Sequence, residues 1–375
     1  MSNNGGQSPM PQVAGKLGSV QLLRAAAAVG VILFHAAGLL AARTGSSAPW
    51  SGLGAAGVDL FFVVSGFIMW VTAVARDEGA RRFLVKRAIR IVPLYWLITA
   101  LVLVIVLAKP DLMRNASHDP AHFAASFAFV AWPHPALQGR FWPPVVPGWT
   151  LNYETLFYLV VAASLTLRAR WRGPLIAAVL VGLASWGMLL HPGHLLSFYT
   201  NPIVLEFLLG AAIGMSFESR RPGPKLAGGL TLVGLALFLA LGRLGTEANR
   251  VLTWGLPLAV LVLGAVNLPL PSGSRIIRWA IVVGDASYSI YLTQFLVLPP
   301  TATALGHVLE HGSGPLGRWV FAAGLVAAAL AAGVATYYIL EQPMLRASKG
   351  LLTGRQEAVG APARAQLQND PALFR

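Results

Sequence analysis

Along its 375 residues the chain alternates long apolar stretches with short polar ones. Crossing a bilayer takes about 20 predominantly apolar residues. On that measure the pattern predicts about ten spans, at roughly 19–41, 54–75, 91–108, 149–167, 174–190, 201–217, 226–242, 250–268, 279–298 and 318–340. The predicted fold is therefore all-α, a polytopic bundle of transmembrane helices. Residues 1–17 are rich in Gly, Pro, Ser, Asn and Gln, and residues 346–375 are basic and rich in Ala, Gln and Pro. Both segments read as disordered tails, which leaves 18–345 as one transmembrane domain. Residues 109–148, with a weaker apolar patch at 122–132 followed by a proline cluster, read as an extramembrane or re-entrant loop. The polar lead, Arg24 and His35 argue against a cleaved signal peptide, so the first stretch reads as a retained signal anchor. No internal repeat is visible.

Composition supports this picture. The chain is 56% hydrophobic and 11% charged, whereas soluble domains carry about 25% charged residues. Its net charge of +14 would suggest nucleic acid in a soluble protein. Here the topology accounts for it. With the amino terminus in the cytoplasm, most of the 28 Lys and Arg fall in the cytoplasmic loops 76–90, 168–172, 220–225 and 275–278 and in the carboxy-terminal tail. Both termini are then cytoplasmic, and no nucleic-acid partner is expected. The absence of cysteine excludes disulfides, thiolate metal sites and a cysteine acyl-enzyme. No metal-ligand spacing appears, and His191 and His194 read as a loop between helices.

The candidate chemistry lies in the few polar residues within the apolar segments. Arg24 and His35 share the first helix, and everything between them is apolar or small. They sit about three turns and roughly 16 Å apart, on nearly one face. Ionisable groups in a membrane helix are expensive and face a bundle interior or a wet cavity. Asp59 in the second span and Glu154 at the start of the fourth fall at a depth similar to His35, so the three could form one site. Either carboxylate could fix the imidazole tautomer and leave the other ring nitrogen as a base. Buried His, Asp and Glu also serve as plain interhelical hydrogen-bond partners, and the sequence leaves both readings open. Glu206 and Asp285 read as structural, and Ser65-Gly66 as a close-packing step rather than a nucleophile.

Two further stretches stand out. The segment 81–95 alternates cations with apolar residues at helical spacing. It reads as an interfacial helix gripping anionic lipid. It reads equally as a phosphate site, because Arg87 and Arg90 lie one turn apart and guanidiniums bind phosphate bidentately. The segment 140–149, Arg-Phe-Trp-Pro-Pro-Val-Val-Pro-Gly-Trp, cannot form a helix interior. It reads as a stiff aromatic lid suited to sugar faces, or as an ordinary aromatic belt at the membrane interface.

Taken in order, these pieces resemble the membrane-bound acyltransferase-3 family, most closely its exopolysaccharide-production branch. The likeness runs over about residues 20–345. Arg24 and His35 match the family's Arg–His signature. Gly57 to Phe67 is similar to its Gly-x-Asp-x-Phe-Phe-x-x-Ser-Gly-Phe segment, and Phe83 to Tyr95 to its Arg-x-x-Arg motif followed by Pro and Tyr. Trp149 to Tyr158 resembles Trp-Thr-Leu-x-x-Glu-x-x-Phe-Tyr. Gly284 to Thr293 resembles the Ser-Tyr-Ser-x-Tyr-Leu element, and Glu341-Gln342-Pro343 closes the core.

The resemblance implies a bacterial inner-membrane enzyme that moves an acyl group, commonly acetyl, from cytoplasmic acyl-CoA to a hydroxyl of a surface carbohydrate, with no permanently bound cofactor and no metal. By carry-over, His35 is the general base, with Arg24, Asp59 and Glu154 grouped with it as catalytic. Arg87, Arg90 and Tyr95 belong to the donor site. Trp142, Trp149, Asn152, Tyr153, Tyr288 and Tyr291 belong to the acceptor site. The bilayer, acyl-CoA, the carbohydrate and polysaccharide-assembly proteins are the expected partners. One departure is Gln294, where many relatives carry His; Gln cannot titrate near neutrality, so a binding or structural role is expected there. The rival reading is a proton-coupled secondary transporter relaying through His35, Asp59 and Glu154. A second rival, a polyprenyl-phosphate-sugar transferase, is disfavoured because residues 42–53 contain no acid.

Overall fold

The computed structural model describes residues 10–45, 51–113, 119–270, 273–306 and 314–348. Among these residues there is helix and no strand. Helix α1 spans Met10–Thr44, α2 Ser51–Ala55 and α3 Gly57–Met69, the last continued by a π-helical turn, Trp70–Val74. Next come α4 (Ala80–Ala108), the short α5 (Pro120–Phe127), α6 (Trp149–Leu165), α7 (Ala169–Leu190) and α8 (His194–Tyr199). The remainder comprises α9 (Leu205–Ser219), α10 (Pro224–Leu241), a π-helical turn Val251–Gly255 leading into α11 (Leu256–Ala265), α12 (Arg275–Asp285), α13 (Ser287–Ala304) and α14 (Pro315–Thr336).

The hydrophobic pattern located the helices, and among the described residues fewer than ten of them have the length and apolarity of a full span. Seven helices are long and apolar enough to cross a membrane: 18–44, 52–74, 80–108, 169–190, 195–219, 224–244 and 316–348. The other three expected spans differ for physical reasons. The stretch at 279–298 is two helices, α12 and α13, bent by 73° at Ala286, and the pair makes an eighth crossing if counted as one. The stretch at 250–268 is helical only over Val251–Ala265. The stretch at 149–167 is the 17-residue α6, held short by Pro147 and Gly148 before it. Likewise α1 starts at Met10, so part of the expected amino-terminal tail is helical. The helical run through Glu341 is described as far as residue 348; residues 1–9 and 349–375 lie outside the described residues.

Segment 81–95 is not a separate interfacial piece. It is the first half of α4, a single helix of 29 residues that carries Arg87 and Arg90 directly into the span. Three apolar clusters hold the bundle. One joins α3, α4, α6 and α7; another joins α1, α3, α9 and α11; the third joins α1, α13 and α14. Helix α3 takes part in the first two and touches its neighbours through glycine. A Cβ on Gly66 would lie 2.1 Å from the Phe207 carbonyl oxygen, and one on Gly210 would lie 2.0 Å from that of Val63. The Ser65-Gly66 step is therefore a close-packing step, as its composition suggests, and the small residues let two backbones meet.

Candidate active site

Two cavities open between these clusters, and α1 passes both. The first has a volume of about 120 Å3 and is lined by Arg24, Ser65, Arg87, Arg90, Glu154, Tyr158, Ser287 and Tyr288, together with apolar side chains from α3, α4 and α6. The second, of about 1010 Å3, is lined by Val31, His35, Gly38, Arg140, Trp142, Trp149, Tyr153, Glu247, Arg250 and others. Val58 and Tyr291 line both, so the two cavities meet there. One is guanidinium-rich and the other aromatic-rich.

The break between α12 and α13 builds the guanidinium cavity. A bent helix leaves backbone and side-chain acceptors without helical partners. Arg24 takes them: its Nε donates to the Gly284 carbonyl at 3.3 Å and to Ser287 Oγ at 3.1 Å, and its Nη2 donates to the same hydroxyl at 2.8 Å. Gly284 allows this approach, since a Cβ there would meet the Gln21 backbone oxygen at 2.1 Å. Arg90 forms an ion pair with Glu341, and Ser289 Oγ donates to the same carboxylate at 2.5 Å. Tyr288 lies under the Arg90 guanidinium and donates to the Ile91 carbonyl at 2.7 Å. Two late motifs, Ser-Tyr-Ser and Glu-Gln-Pro, thus serve to hold two arginines in place. Arg87 differs. Its guanidinium stacks on Phe83 at 5.5 Å, its Nε is buried without a hydrogen-bond partner, and it forms no ion pair among the described residues. Glu154 accepts from Ser65 Oγ at 2.9 Å and is the carboxylate that faces this cavity.

His35 stands in the aromatic cavity, half-buried, with no hydrogen-bond partner among the described residues. The aromatic loop closes over this space. Arg140 stacks on Trp142 at 5.0 Å, and Trp149 packs edge-on to Tyr153. The loop is pinned by two histidines. His122 Nε2 donates to the Trp142 carbonyl at 2.8 Å, and His134 Nδ1 accepts from the backbone N–H groups of Ala136 and Leu137. Burial lowers the pKa of His122, partly offset by that hydrogen bond and by the nearby Asp119 carboxylate. Capped by Asp119 on the Ala121 N–H, α5 carries His122.

The structure separates residues that depth alone grouped together. Asp59 is fully buried and bound by both Nε and Nη2 of Arg250, at 3.0 and 2.9 Å. It ties α3 to the π-helical turn at 251–255 and lines neither cavity. His35, Asp59 and Glu154 are therefore not one cluster. Tyr95 does not join Arg87 and Arg90. It is 1% exposed, its hydroxyl pairs with Ser126 at 2.8 Å, and it packs on Gly148, fastening α4 to the loop. Asn152 and Gln294 are also buried outside both cavities. Tyr288 lines the guanidinium cavity, while Trp142, Trp149 and Tyr153 line the aromatic one. Sequence reasoning missed Arg250, although a carboxylate in a span demands a cation nearby. It also did not single out Ser287, Ser289 and Tyr158 as site residues, although each falls within one of the motif segments, Gly284 to Thr293 or Trp149 to Tyr158.

A family model described as an acyltransferase domain matches residues 17–338. The chain is 38% identical to exopolysaccharide production protein ExoZ of Rhizobium meliloti, over 89% of this chain and 99% of that one. It is 27% identical to nodulation protein 10 of Rhizobium leguminosarum, over 91% of this chain and 97% of that one. It is 26% identical to peptidoglycan O-acetyltransferase OatA of Listeria monocytogenes, over 76% of this chain and 50% of that one. No solved structure matches the chain.

Proposed function

The chain belongs to the acyltransferase-3 family and is a multi-pass membrane acyltransferase, and from that premise we propose that it moves an acetyl group from cytoplasmic acyl-CoA to a hydroxyl of a cell-surface polysaccharide or its lipid-linked precursor. The observation that carries this reading is the meeting of two unlike cavities at Val58 and Tyr291. The guanidinium cavity suits the anionic donor, with Arg87 free to grip phosphate and Arg24 and Arg90 set around it. The aromatic cavity suits a saccharide, with Trp142 and Trp149 offered to its apolar faces. His35 lies on the acceptor side, where it takes the hydroxyl proton as the oxygen attacks the thioester carbon. The new bond joins the acceptor oxygen to the acyl carbon, the carbon–sulfur bond breaks, and the proton passes to the leaving thiolate. In this reading Arg24 belongs with the donor rather than with the oxyanion, because it lines the same cavity as Arg87.

The proposed setting is a bacterial inner membrane with both termini cytoplasmic, so the guanidinium cavity faces the cytoplasm. Polysaccharide-assembly proteins would then deliver the acceptor; the exopolysaccharide name of one relative supports that class. The transporter reading has less support, since Asp59 is paired with Arg250 and lines neither cavity. Mass spectrometry of surface glycan tests the proposal. A deletion strain should lack one acetyl mass, the intact gene should restore it, and His35→Ala should not. Restoration by His35→Ala would remove the proposed base.

A further inference from the structure

The two cavities adjoin at a seam formed by two shared lining residues, Val58 and Tyr291. We propose that this seam filters acyl groups by width, so that the enzyme transfers unbranched short acyl groups and rejects branched ones. The inference rests on the donor reading above. A thioester whose phosphates lie with Arg87 arrives from the guanidinium side with its acyl end leading. His35 and the acceptor hydroxyl lie on the other side, so the direct route for the acyl group is the seam that Val58 and Tyr291 line.

Neither wall can easily give way. Val58 sits in the first turn of α3, where that helix is pressed against α1. A Cβ on Gly57 would lie 2.5 Å from the Ala27 carbonyl oxygen, and one on Gly54 would lie 2.7 Å from that of Gly30. The two backbones touch, so Val58 cannot retreat toward α1. The other seam residue, Tyr291, is 8% exposed and packs edge-on against Phe61, with ring centroids 5.8 Å apart. Close-packed walls accommodate an extra methyl group poorly. An unbranched chain presents the same cross-section whatever its length, whereas a branch beside the carbonyl adds a methyl to its width. The bonds made and broken are the same for both, so the discrimination lies in passage and not in chemistry.

Butyryl-CoA and isobutyryl-CoA contain the same atoms and differ in width. With purified protein and a glycan acceptor, kcat/KM should favour the straight isomer by about tenfold or more, the usual scale for one misplaced methyl group. Val58→Ala should bring the ratio toward parity, and Val58→Ile, which adds a methyl to the opening, should widen it. The second variant keeps the test valid if the first fails to fold. Equal use of the isomers by the wild type, or a ratio unmoved in both variants, would overturn the filter. Failure to transfer acetyl from acetyl-CoA at all would instead sink the donor reading, and the filter with it.

Discussion

At the residue scale, similar side chains prove to have different tasks. Arg87 and Arg90 lie one turn apart and read alike in sequence, yet Arg90 is bound to Glu341, 251 positions away, while Arg87 has no such partner. Arg87→Ala should therefore raise the donor KM about tenfold, the scale of one lost charge-assisted hydrogen bond, with little change in Tm. Arg90→Ala should lower stability, because it strands the buried Glu341 carboxylate. The full cost of breaking a buried pair is about 3–5 kcal/mol. With the Arg90 side chain 30% exposed, about 2 kcal/mol is the expected loss after solvent screening. Paired thermal unfolding and acyl-CoA titration would separate the two, and identical profiles would contradict the assignment. His35→Ala should cut turnover about 10²–10⁴-fold and leave unfolding unchanged, since the ring makes no hydrogen bond among the described residues. The pairing of Arg24 with His35 was legible as a shared helix, but their division between two cavities was not, because the seam that divides them comes from α3 and α13.

At the element scale, α3 is the hub, and its sequence half-reveals why. Gly57 and Gly66 announce close contact; that the neighbour is α1 for Gly57 and α9 for Gly66 is invisible until the helices are seen together. Gly66→Ala should destabilise the bundle by about 1–3 kcal/mol, the usual cost of overpacking, because the colliding atom is the Phe207 backbone oxygen, which cannot rotate away. Wild-type stability in that variant would show that α3 and α9 can part. Asp59 and Arg250 join α3 to the π-helical turn, both almost fully buried. A double-mutant cycle of Asp59→Ala and Arg250→Ala should show coupling, each single change costing about 3–5 kcal/mol and the pair less than their sum. Additive losses would mean the two residues act separately. The break at Ala286 was not foreseen, although Gly284, Asp285 and Ser287 interrupt the apolar run there, because no proline marks it and the run resumes at once on the far side.

At the scale of the whole molecule, the proposal requires the two cavities to face opposite compartments. The chain has no cysteine, so single cysteines can report sidedness without background. Arg82→Cys, on the exposed start of α4, and Gln138→Cys, in the exposed aromatic loop, should be labelled by a membrane-impermeant maleimide from opposite sides. In sealed right-side-out cells only Gln138→Cys should react. Labelling of both from one side would place both cavities in one compartment and end the two-sided mechanism.

The sequence by itself determined the membrane setting, the helical class, the position of most spans and the short set of polar residues that matter. Those properties are local: whether about 20 residues partition into lipid depends on those residues alone, and a buried charge is conspicuous wherever it falls. The tertiary structure decided the rest: that Asp59 belongs to Arg250, Glu341 to Arg90 and Tyr95 to Ser126, that one span is broken, and that His35 and Arg24 look into separate spaces. Sequence gives a residue its depth along a helix. Its neighbours depend on which helices touch, and that is settled by glycine contacts and helix breaks drawn from distant parts of the chain.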